Sequence, residues 1–306
     1  MKDRTPKGAL LLAFGGADSI ESVEPFIRNV LKGRPLSPDL IERTRDRYRL
    51  IGGFSPLLDI TLAQAKAVAE ILSRGEDFYR VYVGMRYWHP FIKEAVKSML
   101  SDGIKEAAAV IMAPFSSRAA TGGYLTDVDE ALKDCGGALR VGFVRDWHKD
   151  PLFTDAIVEN LEKELAFFTN PNDALVIFSN HSLPVAALAG DPYVQKITET
   201  AGEISKRLSI DYRISYQSQG AGPMEWLGPK TEDVIGEAKK LGKKGVVVVP
   251  LGFVADHVET LYDIDMLFKK AASGNGLIFR RSASLNTSLK FMELVANAIK
   301  SNMEEK

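Results

Sequence analysis

An α/β fold with parallel sheets is what this sequence predicts, on two observations. Short aliphatic or β-branched runs alternate with longer amphipathic stretches along all 306 residues, and most of the runs lack a polar face. A strand without polar alternation is one that helices cover on both faces, as in parallel sheets joined by right-handed crossovers. The predicted strands are residues 10–13, 79–84, 107–113, 139–144, 174–179, 213–217, 245–250 and 277–280.

The predicted helices follow from apolar residues at spacings of three and four. They cover residues 19–30, with Ser19 as cap, then 61–72, 93–100, 153–167, 192–208, 231–241 and 288–303. A weak internal echo joins Ala108-Ala109-Val110-Ile111-Met112-Ala113-Pro114 to Val246-Val247-Val248-Val249-Pro250. Each is a buried-type strand stopped by proline, which has no hydrogen to give the ladder. Two similar half-chains are expected, residues 1–168 and 169–306, divided where Thr169-Asn170-Pro171-Asn172-Asp173 breaks the pattern. Ligand chemistry in such sheets belongs to the loops after the strand ends, here 14–19, 114–124, 180–184 and 252–265.

Composition removes several function classes. Lysine and arginine total 39 against 40 acidic residues, a net charge of -1, so no general grip on nucleic acid is indicated. The apolar runs are too short to span a membrane, and no targeting signal is read. The single cysteine, Cys135, cannot form an internal disulfide, and a reducing, cytoplasmic setting fits it.

Two of the four histidines fall in the selected loops. His181 follows a buried-type strand, and an imidazole of pKa about 6.5 takes up a proton near neutrality without special help. Asp256 and Glu259 have the spacing of a helix capping box. Glu259 and Asp263 stand four apart, on one helical face, where a cation or a proton would relieve their repulsion. His257, read as helical, points about a quarter-turn away from Glu259 and is expected to bridge to the sheet or to orient the loop.

The common alternatives lack their signatures. There is no His-Glu-x-x-His or Cys-x-x-Cys for zinc, and Gly15-Gly16 lacks the dinucleotide spacing. Ser116 and Ser117 do not sit in a nucleophile elbow. Trp226 stands in the Gly- and Pro-rich stretch 217–229 beside Met224, and both side chains suit the face of a flat apolar ligand.

Five stretches in order carry a family resemblance. They are Ile51-Gly52-Gly53-Phe54-Ser55-Pro56; Ser179-Asn180-His181-Ser182-Leu183-Pro184 with Gly190-Asp191-Pro192-Tyr193; Tyr216-Gln217-Ser218; Trp226-Leu227-Gly228-Pro229; and Asp256-His257-Val258-Glu259-Thr260-Leu261-Tyr262-Asp263-Ile264-Asp265. Together they resemble the ferrochelatases over essentially the whole chain. The resemblance implies two Rossmann-like domains with the active cleft between them, and a last helix, about 286–303, packing back across the domains.

It also implies insertion of Fe²⁺ into a free-base porphyrin with release of two protons, in heme biosynthesis. His181 and Glu259 match the catalytic and metal-handling pair, and Asp263 matches an outer metal or proton track. Phe14, Ser55, Pro56, Ser116, Arg118, Tyr124 and Trp226 are the porphyrin-facing candidates. Porphyrin and iron are then substrates. No tightly bound cofactor and no iron–sulfur cluster are expected. A monomer is expected, with transient contacts to neighbouring heme-pathway enzymes.

Three positions depart from the family pattern. Phe14 replaces a tyrosine of similar-length members, Leu267 replaces a frequent glutamate, and Asn180 replaces a usual alanine. The stretch 30–48, where a porphyrin-enclosing lip would lie, is short and rich in charge. Its arginines suit the extra carboxylates of coproporphyrin III, which is slightly favoured over protoporphyrin IX. The competing readings are a cobalt or nickel chelatase of another tetrapyrrole and a non-catalytic porphyrin carrier.

Overall fold

The computed structural model of the protein describes residues 5–75, 77–136, 139–220 and 224–304. Among these, strands β1 (Lys7–Ala13), β2 (Tyr79–Met85), β3 (Glu106–Ile111) and β4 (Arg140–Val144) form one parallel sheet in the order β2-β1-β3-β4. Strands β5 (Ala174–His181), β6 (Tyr212–Gln217), β7 (Gly245–Val249) and β8 (Ile278–Arg281) form a second in the order β6-β5-β7-β8. The order is the same in both. The two echoing stretches are β3 and β7, the third strand of each sheet.

The intervening helices are α1 (Val23–Leu31), α2 (Pro38–Leu50), α3 (Leu57–Leu72), α4 (Ile92–Ser101), α5 (Gly122–Asp134), α6 (Pro151–Leu165), α7 (Tyr193–Leu208) and α8 (Thr231–Lys240). A π-helix, Glu259–Phe268, runs into α9 (Lys269–Gly274), and α10 (Leu289–Glu304) ends the chain. No described helix is long and apolar enough to cross a membrane.

The chain divides into two compact units. The first comprises the chain up to Met112, Thr121–Trp147 and the tail from Asn286; the second comprises Ala113–Ala120 and His148–Leu285. The predicted division at 168/169 therefore moves to 147/148. Its physical cause is α6, which packs on α7 and β7 and so joins the second sheet. The last helix, expected to pack back across the domains, belongs to the first unit, where it packs on α3, β3 and β4. There it buries Phe291, Met292, Leu294, Val295, Ala296, Ile299 and Met303.

All eight predicted strands appear. Strand β5 runs past its predicted end through Asn180 and His181 because β6 pairs with it as far as His181↔Gln217. Helix α2 lies in the stretch read as a charged lip. Ser37 caps it, with Oγ accepting from the Leu40 amide at 3.2 Å, and its buried residues are Ile41 and Tyr48. So narrow an apolar stripe is weak evidence for a helix in a sequence.

Alternate residues of a strand face opposite ways, and in the second sheet this decides where the chemistry goes. Leu175, Ile177, Val246 and Val248 pack with Val234, Ile235 and Ala238 of α8 and with Ile264 and Phe268 of the π-helix. His181 has the parity of Leu175 and Ile177, so it continues the face that meets the π-helix.

Candidate active site

Strand order in the second sheet reverses between β5 and β7, and open α/β sheets gather ligands at that crevice. His181 is the last residue of β5, and Glu259 opens the π-helix after β7. His181 Nε2 lies 3.7 Å from Glu259 Oε1. His257 Nε2 lies 3.5 Å from the other carboxylate oxygen, Oε2.

The second contact corrects the expectation for His257. The residue precedes the helix in an irregular segment, so helical spacing does not govern its direction. Its backbone N–H donates to Thr260 Oγ1 at 3.0 Å, which folds the segment back. The capping-box reading of Glu259 also fails, since its carboxylate faces two imidazoles and no side chain caps the helix start.

Both imidazoles are fixed as to tautomer by their other nitrogen. His181 Nδ1 donates to the Ser182 carbonyl at 2.6 Å, and His257 Nδ1 donates to the Ala255 carbonyl at 3.2 Å. A carbonyl only accepts, so each Nδ1 carries a hydrogen. When neutral, the rings then turn Nε2 lone pairs toward an anion. Burial opposes an imidazolium at His181, yet the Glu259 charge and hydrogen bond, the Ser182 carbonyl and Asp263 outweigh it and raise its pKa. Burial likewise works against the Glu259 carboxylate, and His181 and His257 outweigh it, holding that carboxyl well below the usual range. Convergent lone pairs of this kind take up a proton or a metal ion.

The supports come from the same unit. Tyr193 OH, buried at the start of α7, donates to the His181 carbonyl at 2.9 Å. Phe253 stands against both rings, 6.5 Å from His181 and 5.1 Å from His257 between centroids. Gln217 accepts from Ser179 Oγ at 2.6 Å and donates to the Glu259 carbonyl at 3.0 Å. Asp263, predicted as the outer track, is buried one turn on and accepts from Ser218 Oγ at 2.8 Å. Among the described residues, no group of three or more His, Cys, Asp or Glu side chains is disposed to hold a metal ion.

The ferrochelatase family model matches residues 6–303, nearly the whole chain. The chain belongs to the ferrochelatase family. A ferrochelatase of Geotalea uraniireducens is 39% identical, over 95% of this chain and 96% of that protein. A coproporphyrin III ferrochelatase of Halalkalibacterium halodurans is 35% identical, over 98% of each. Among solved structures, the cobalt-bound sirohydrochlorin chelatase SirB of Bacillus subtilis subspecies spizizenii superposes with a TM-score of 0.59. At 10% identity, over 98% of this chain and 96% of that one, the likeness is one of fold. The chain is thus an enzyme of the ferrochelatase kind, with the two-unit α/β architecture of chelatases.

Against this ferrochelatase frame the porphyrin-facing candidates sort unevenly. Phe14, after β1 in the first unit, is 45% exposed and packs on Tyr87 at 4.6 Å. Ser55 is buried, and its hydroxyl accepts from the Leu57 amide at 3.3 Å, while Pro56 leads into α3. Tyr124 is also buried, with the Arg86 guanidinium 5.4 Å from its ring centre, so that face of the ring is already taken. In the second unit, Ser116 Oγ accepts from Lys196 at 2.6 Å. Arg118 is exposed and reaches the Ala189 carbonyl at 3.2 Å. Trp226 lies over Gly220, where an added Cβ would come within 2.4 Å of the indole. The rest of its loop, residues 221–223, lies outside the described residues.

Proposed function

We propose that this chain inserts Fe²⁺ into a free-base porphyrin in heme biosynthesis, with His181 and Glu259 as the reacting pair. One ion enters and two pyrrole protons leave, so the centre must accept protons and stabilise positive charge at one place. The observation that carries the reading is the convergence of two Nδ1-protonated imidazoles on the two oxygens of Glu259. His181 accepts a pyrrole proton or first coordinates the ion. Glu259 balances the cationic intermediate, and Asp263 is the next acidic group along the helix. Bending the ring toward its transition-state shape exposes the nitrogen lone pairs, at the expense of binding energy from the rest of the macrocycle.

Coproporphyrin III is the proposed substrate, ahead of protoporphyrin IX. Two arguments support it: the 35% identity to a coproporphyrin III ferrochelatase and the arginines of α2. Arg43 pairs with Asp39 at 3.0 Å, and Arg49 with Glu42 and Asp46 at 2.6 Å each. Exposed pairs of this kind are weak, so a substrate carboxylate can displace them.

The test follows loss of free-base porphyrin fluorescence under anaerobic conditions, with both porphyrins and with Fe²⁺, Zn²⁺, Co²⁺ and Ni²⁺. Iron insertion above the protein-free rate, with a higher kcat/KM for coproporphyrin III, is expected. Binding without insertion would make the protein a carrier. Cobalt or nickel insertion without iron would make it another chelatase, and a preference for protoporphyrin IX would reverse the substrate assignment.

A further inference from the structure

The π-helix that presents Glu259 is an uncommon winding, met mostly as single turns. Here it continues over ten residues. Such a segment depends on contacts outside itself, and one side chain supplies them both ahead of the helix and within it. Arg281 is the last residue of β8, and its side chain is 13% exposed. Its Nη1 donates to Asp265 Oδ2 at 2.6 Å, inside the π-helix. Its Nη2 donates to Asp256 Oδ1, ahead of the helix, and to Ser284 Oγ at 2.9 Å.

The Asp256 end is itself a junction. Asp256 Oδ1 also accepts from Ser284 Oγ at 2.7 Å and from Thr260 Oγ1 at 3.2 Å. Thr260 is the residue that holds the His257 amide. A path of hydrogen bonds therefore runs from Arg281 through Asp256 and Thr260 to the backbone of His257, next to Glu259. The bracket from Asp256 to Asp265 encloses both Glu259 and Asp263.

We infer that Arg281 is a positioning residue for metal insertion: by gripping Asp256 and Asp265 at once, it sets the carboxylate of Glu259 against the two imidazoles. A planar guanidinium with five donors in a rigid fork can bridge two carboxylates and a hydroxyl, and an ammonium on a flexible stem cannot hold the same geometry. The inference rests on the proposed role of Glu259, and the experiment separates the two.

Arg281→Lys, Asp265→Asn, Glu259→Gln and the double variant Arg281→Lys/Glu259→Gln are compared for kcat, porphyrin KM and thermal midpoint. Arg281→Lys is expected to lower kcat by roughly ten- to a hundredfold with KM within about threefold, the pattern of an interaction lost from the transition state. Asp265→Asn is expected to lower kcat less, about three- to tenfold; at 37% side-chain exposure it carries the test if Arg281→Lys does not fold. In the Glu259→Gln background Arg281→Lys should change kcat by less than about twofold, because its effect passes through Glu259. General destabilisation would lower the rate by the same factor in both backgrounds, and that result overturns the inference. So does a folded Arg281→Lys, or failing it Asp265→Asn, with wild-type kcat while Glu259→Gln is slow. If Glu259→Gln itself turns over at the wild-type rate, the proposed role of Glu259 falls first and the bracket loses its purpose.

Discussion

Glu259 is the residue on which two local demands compete. As a helix cap its carboxylate would contribute about 1 kcal/mol. Facing His181 and His257 it instead has an imidazole nitrogen near each of its two oxygens. Substituting glutamine keeps the shape and removes the charge, and should lower the insertion rate by roughly ten- to ten-thousandfold while porphyrin affinity stays unchanged. Fluorescence titration beside the rate assay checks both halves, and near-wild-type turnover would return Glu259 to a structural role. The same pair sets a pH signature in the metal-free protein. The raised His181 value gives stability that is complete below the ordinary imidazole value of 6.5 and lost as pH rises through the raised one. The lowered Glu259 value gives stability that is present above 4.5 and lost on acidification. Both contributions coexist between those limits, so the thermal midpoint of the wild type should exceed that of Glu259→Gln most near pH 5–6. With about a third of each side chain open to solvent the gap is small, under about 1 kcal/mol, and a difference flat from pH 4 to 9 would contradict the ion pair.

Two elements bring the pair together, and each has a weak point that can be tested. At the end of β5 the Tyr193 hydroxyl satisfies the His181 carbonyl. Tyr193→Phe should cost about 1–3 kcal/mol in urea unfolding, because it strands a carbonyl in a largely enclosed place. In the π-helix, Leu267 packs on the cluster formed by Ile264, Phe268 and the strands of the second sheet. A glutamate there would put a charge against that apolar surface. Leu267→Glu should lower stability by about 1–3 kcal/mol and shift the metal titration more than the porphyrin affinity. An unchanged metal titration would mean that the outer track has no part in this chain's chemistry. In helix α2, Arg43 and Arg49 are held by pairs with the helix's own carboxylates, which a substrate carboxylate would have to displace.

For the whole molecule, the chain's last segment returns to the unit in which the chain began. Six of the side chains that α10 buries are larger than alanine, and at about 1.5–3 kcal/mol each they match the entire stability of an ordinary domain. A chain ended after Leu285 should therefore fail to fold its first unit, seen as loss of dispersed amide signals from β1 to β4. A native-like spectrum from those strands would show that the first sheet stands without α10. The sequence by itself determined the strands, since residues buried on both faces leave unbroken aliphatic runs such as Val246-Val247-Val248-Val249, and it determined His181 and Glu259 as candidates, since each follows such a run. Only the tertiary structure decided that β5 reaches His181, that α6 joins the second sheet, and that His257 turns back onto Glu259. The reason is that these depend on partners distant along the chain: strand β6 for the first, β7 for the second, and a loop direction that no helical or strand period encodes for the third.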